Sequence, residues 1–242
     1  MNEPSLPPPV PAQPNGENEM IDLARDLTVM NAVEFVLRNP RQMIARIAGP
    51  RGTWTSFVLA FIAAVSAVVY GLVVGSFSGG SQWWAAPAKI VGGMALSGLI
   101  CLPSLYIFAC LGGSRAKPSQ VFGVLLAMLA IANLLLIGFA PVAWIFSQST
   151  DSATCVGFFH ITFWVIALLF GCRFIATALR ALGSHSTSLV GLWTLLFLFV
   201  TLQMTTTLRP IVGTSPQLLS EEKVFFLNYW FQGAPNKLEH AK

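Results

Sequence analysis

Five residues draw attention because each interrupts an otherwise apolar run: Pro103, Asn133, His160, Arg173 and Gln203. An amide inside such a run hydrogen-bonds a facing helix, contributing about 1–2 kcal/mol or half that. An arginine there either lines an anion path or extends its guanidinium to membrane phosphates. No apolar run contains a carboxylate to pair with Arg173, so surface phosphate contact is favoured over a lined cavity. Proton relay by His160 would need a second titratable group within reach, and its runs supply no acid; it reads as an interfacial or helix-packing residue. Asn133 reads as helix-packing glue, with substrate contact as the alternative. Gln203 sits beside Thr205, Thr206 and Thr207, close to the exit of the last run.

Nucleophilic catalysis needs an activating base beside the nucleophile. The sequence contains no His-Glu-x-x-His and no Gly-x-Ser-x-Gly, and Ser104 could meet His160 only if distant helices joined them. Cys101, Cys110 and Cys172 fall within apolar runs and Cys155 at the edge of one, without zinc-ligand spacing, so they read as small lipid-buried thiols. The expectation is a protein that is not an enzyme and holds no cofactor or metal.

The elements that would position these residues are apolar runs at 54–77, 90–111, 121–146, 156–178 and 189–207. Each approaches or exceeds the roughly 20 helical residues needed to cross a hydrocarbon core about 30 Å thick. Of the 242 residues only 10% are charged, against about a quarter in soluble domains, and the mean hydropathy is +0.68. Every carboxylate except Asp151 lies at or before Glu34 or at or after Glu221. Lipid must therefore be the main solvent. The expected fold is an all-α polytopic membrane bundle of five transmembrane helices preceded by an amphipathic helix, its centre the hairpin of 90–111 and 121–146 joined by the basic tether 112–118.

Local signals refine this picture. Pro103 removes a helical hydrogen bond and kinks its span, with Ser104 beside it to satisfy the freed carbonyl. Gly71 and Gly75 form a small-xxx-small pair suited to close packing within the chain. Trp83 and Trp84 follow the Gly79-Gly80-Ser81-Gln82 loop, where paired indoles would sit at the membrane interface ahead of the span that begins at Ile90. Arg173 and Arg180, seven residues apart, share a helix face. No internal repeat is evident.

Four segments follow. Residues 1–18 form a Pro-rich tail that cannot bury apolar area. Residues 19–52 hold two cytoplasmic or interfacial helices. In the first, Met20, Leu23, Leu27, Met30, Val33 and Leu37 make one stripe that stops at Asn39-Pro40; in the second, Met43, Ile44 and Ile47 oppose Arg41 and Arg46. Residues 53–213 form the bundle. Residues 214–242 are a tail whose Phe225, Phe226, Tyr229, Trp230 and Phe231 suggest an aromatic interfacial helix. No cleavable leader is visible, so the first span would direct insertion.

The net charge of +4 arises from arginines beside apolar runs, which fits anionic headgroups and not nucleic acid. Arg38, Arg41, Arg46, Arg51, Arg115, Lys117 and Arg180 collect on one side; Lys89, Arg209 and Lys223 fall on the other. The positive-inside bias then places the N-terminus in the cytoplasm and the C-terminus outside.

Leu102-Pro103-Ser104-Leu105-Tyr106, the Gly112-Gly113 turn, and Gln203-Met204 with Leu208-Arg209-Pro210 are similar to segments of bacterial Yip1-type membrane proteins. The likeness covers residues 53–213. It implies five spans, a cytoplasmic N-terminal segment and a short exoplasmic C-terminus. The Asp-Leu-Tyr-Gly-Pro motif of the eukaryotic domain is absent, so GTPase binding in vesicle traffic is not carried over. The reading that results is a non-enzymatic scaffold or accessory protein of a bacterial cytoplasmic membrane complex, in contact with lipid and with a membrane-protein partner or a second copy. A transporter or channel for a small anionic or lipidic solute is the alternative.

Overall fold

The computed structural model describes residues 27–78, 82–149, 153–185 and 187–207. The Pro-rich tail, the stripe residues before Leu27, Asp151 and the aromatic tail helix lie outside the described residues. Within them all regular structure is helical: α1 (Val29–Arg38), α2 (Pro40–Ala48), α3 (Gly52–Ser78), α4 (Gln82–Leu111), α5 (Pro118–Ser149), α6 (Ala153–Ala181) and α7 (Thr187–Thr207). Four of these, α3 to α6, are long and apolar enough to cross a membrane. The chain is a multi-pass membrane protein by this measure. In α7 the apolar stretch, Ser188–Met204, is shorter.

Helix α5 is the core. Two-thirds of its apolar window (67%) is buried, against 33% for α4 and 39% for α6, so it turns few residues outward. It packs chiefly on α3 and α6, while α4 packs on α3 and α7. The helices within each hairpin, α4 with α5 and α6 with α7, touch far less than α5 touches α6 or α4 touches α7. The two hairpins thus exchange partners, an arrangement that no sequence repeat announces.

The ends of α4 and α6 explain how the hairpins lock. Both stop in the same left-handed turn, at Gly113 (φ 88°) and Gly183 (φ 92°). A residue with a Cβ is disfavoured there, and the turn lets following N–H groups reach back to the last carbonyls. Ser114 N–H donates to Ala109 O at 3.0 Å and Ser184 N–H to Leu179 O at 2.8 Å. Each turn then caps the other: His185 N–H donates to Gly112 O, and Ser114 Oγ to Leu182 O, both at 2.8 Å. Two carbonyls left over at the helix ends are satisfied across the interface.

Three glycines set the close crossings. A Cβ on Gly71 would lie 2.5 Å from Pro87 Cα, so α3 and α4 meet backbone to backbone, as expected for packing within the chain. On Gly171 it would lie 2.9 Å from Met128 O, joining α6 to α5. On Gly123 it would meet Ile47 Cγ2 at 2.7 Å and Ser56 Oγ at 2.8 Å, so α2 and α3 both press on α5.

Several boundaries differ from expectation. Helix α4 starts at Gln82 and not near Ile90, which places Trp83, Trp84 and Pro87 inside the helix and buries Lys89. A backbone entering lipid has only its own helix to bond with, so the helix runs on through polar and proline residues. Helix α1 starts at Val29, after an extended Thr28 (φ −78°, ψ 150°). The stripe on α1 is rotated: Leu27, Ala32 and Val36 are buried, whereas Met30 (76% exposed) and Leu37 turn outward. On α2 the expected Met43, Ile44 and Ile47 are buried, but so is Arg46, its guanidinium 5.1 Å over the Phe35 ring. Stacking on an aromatic face offsets part of the cost of removing that charge from water.

Candidate functional site

One buried polar pair joins α3 to α6. Tyr70 and His160 are both buried, and Tyr70 Oη lies 2.7 Å from His160 Nδ1 with the rings edge to face (centroids 5.7 Å apart). The proton can sit on either atom of this pair, which fixes the imidazole orientation in both cases. On the adjoining α5–α6 seam, Phe139 stacks on Phe163 at 4.9 Å and Phe146 on Phe159 at 4.4 Å. This is a satisfied polar contact in an aromatic wall.

A second contact joins α4 to α7. Trp193 is fully buried, stacks on Phe197 at 5.1 Å and donates its indole N–H to Cys101 O at 3.2 Å. Pro103 lies two residues further along α4, on its exposed face, and the helix continues through it. Ser104 Oγ donates to Cys101 O at 2.8 Å, not to the carbonyl of Leu99 that the proline ring deprives of its usual donor. The expected role of Ser104 is therefore corrected: it reinforces the carbonyl that Trp193 uses. Ser104 and His160 bond to different helices and form no dyad. Cys101 and Cys172 are buried within the bundle, and Cys110 lies on its outer face.

The remaining predicted residues separate. Arg173 projects outward from α6, on the face that also carries Thr177 and Arg180, and its own carbonyl accepts from Thr177 Oγ1 at 3.1 Å. Gln203 is half-buried near the end of α7. Asn133 is buried in α5 and its Oδ1 has no hydrogen-bond partner; the same holds for Ser97 Oγ on α4 and Thr201 Oγ1 on α7. From the Trp193–Cys101 bond, Thr201 lies about 12 Å and Ser97 about 6 Å toward the opposite end of the bundle from the capped turns. Among the described residues no cluster of His, Cys, Asp and Glu could hold a metal.

Tyr70 and Trp193 were not apparent as functional residues in sequence. A signal existed for each: a phenol or indole in an apolar run must find a partner for its polar atom once buried.

Comparison of the chain with protein-family models, curated proteins and solved structures finds no match.

Proposed function

We propose that this protein is a non-enzymatic scaffold or accessory subunit of a membrane complex, a five-span bundle of the Yip1-like type with α7 as its fifth crossing. In this reading the basic end, carrying α1 and α2, faces the cytoplasm of a bacterial cell and the C-terminus lies outside. The observation that carries it is the outward placement of Arg173 on α6. A guanidinium on the outer face reaches phosphates or a partner, and leaves the bundle interior to contacts such as Tyr70–His160 and Trp193–Cys101 that hold helices together. Met30 and Leu37, turned away from the bundle on α1, supply apolar contacts for a partner or for the headgroup plane.

The test is affinity capture from mild detergent with and without residues 1–37. Co-purifying membrane proteins that disappear on deletion, while the bundle still inserts, support the scaffold. Recovery of this protein alone in both cases removes its basis.

A transporter remains the second reading because Ser97 Oγ, Asn133 Oδ1 and Thr201 Oγ1 are buried without partners. Such atoms are costly in a low-dielectric interior unless a water or solute meets them. Flux of small anions through reconstituted liposomes, abolished by Asn133→Leu, would favour this reading over the first.

A further inference from the structure

A cavity of about 420 Å³ opens at the basic end of the bundle, between the Gly49-Pro50 turn and the first turns of α3 and α5. Its mouth and floor differ in chemistry. Lys117, Thr53 and Ser119 line the mouth and are all exposed; Phe57, Phe122 and Leu126 line the floor toward the membrane-length part of α3 and α5. Phe57 is 67% exposed, so the floor is open sideways where lipid chains would lie.

From these observations we propose that the cavity is a binding site for an anionic phospholipid of the surrounding leaflet, its phosphate at Lys117 and its acyl chain on Phe57, Phe122 and Leu126. The proposal rests on the membrane assignment and not on the scaffold reading.

Charge selects the headgroup. Among the described residues the single carboxylate is Glu34, which lies 3.6 Å from Arg38, so none of them offers Lys117 a competing acid. The first turns of α3 and α5 add the positive ends of two helix dipoles. Their placement is fixed. Gln120 Oε1 accepts from Lys117 N–H at 2.9 Å while Gln120 Nε2 donates to Ala48 O at 3.3 Å, which ties the start of α5 to the end of α2. Gly123 draws Ile47 against α5 beneath that tie. The cavity is thus a built gap between three anchored elements.

Depth selects a lipid over a soluble anion. The mouth lies where the apolar part of α3 begins, at Gly52, and so at headgroup level. Two phenylalanines and a leucine below it match an acyl chain and give nothing to inorganic phosphate.

The test uses full-length protein in a neutral detergent, with binding of phosphatidylglycerol, phosphatidylcholine and inorganic phosphate read by native mass spectrometry and thermal shift. One phosphatidylglycerol per chain should be retained preferentially. Lys117→Ala should weaken it about fivefold, the worth of one lysine near a phosphate surface, and Lys117→Glu further. Leu126→Trp should block the floor and lower retention with the charge intact. Arg41→Glu makes the same charge change about two helical turns from Ile47, on the exposed side of α2, and should leave retention unchanged. The proposal is overturned if Arg41→Glu weakens binding as much as Lys117→Glu, if phosphatidylcholine binds equally, or if inorganic phosphate displaces the lipid at equal concentration.

Discussion

Tyr70 Oη and His160 Nδ1 meet at 2.7 Å although 90 residues separate them in the chain, and this contact ties the first membrane-length helix to the last of the four. Neither residue has to be charged to hold the bond. In an apolar bundle such a contact is expected to specify which faces of α3 and α6 meet, with a modest contribution to stability.

Its contribution can be isolated. Tyr70→Phe, His160→Leu and the double variant, melted in the same detergent, should give a coupling energy of about 0.6–1.7 kcal/mol, the range of interhelical hydrogen bonds in membranes. The single variants should each cost more than that coupling, because each leaves a buried polar atom without a partner. Additive losses would show that the bond is incidental.

The glycine crossings predict a graded series. Gly71→Ala and Gly123→Ala each place a methyl within 3 Å of a neighbour and should lower stability by about 1–3 kcal/mol through overpacking. Gly92→Ala and Gly138→Ala meet nothing within 4 Å and should be neutral or slightly stabilising through helix propensity. Equal effects across the four in detergent melts would contradict the packing described.

The capped turns predict a local effect. Gly183→Ala strains a left-handed position and should cost about 1 kcal/mol. Ser114→Ala removes the donor to Leu182 O and should speed amide exchange at the end of α6 as well as at its own turn. Exchange changes confined to residues near Ser114 would show that the two turns are not coupled.

The outward face of Arg173 predicts tolerance. Arg173→Lys should leave stability and expression within about 0.5 kcal/mol of the parent, as for substitutions away from packed features. A large loss would mean that the guanidinium bonds to groups inside the bundle.

What was legible in sequence follows from what lipid demands. Length and apolarity located α3, α5 and α6 within a few residues, since no other solvent suits such runs. Where α4 begins was not legible, because Trp83, Pro87 and Lys89 carry the composition of an interface while the backbone still needs a helix. Which side of α1 packs on the bundle was not legible for a related reason. Periodicity reveals that apolar residues share a face, but Ala32 and Val36 lie inward because the neighbouring α3 and α5 stand on that side. His160 was recognised, whereas its partner was not: an apolar run with one tyrosine does not say which distant helix it will face. The exchange of partners between hairpins was likewise invisible, although the glycine turns that fix it, at 112–114 and 183–184, are plain in the chain.

Orientation in the bilayer carries the proposed function, because the partner surface proposed for α1 and the proposed fifth crossing by α7 are both read from it. The direct measurement is a pair of reporter fusions, one after Lys117 and one after Lys242, each active on only one side of the membrane. Five crossings with the basic end in the cytoplasm predict a cytoplasmic signal from the first and an external signal from the second. Signals from the same side for both fusions would contradict it.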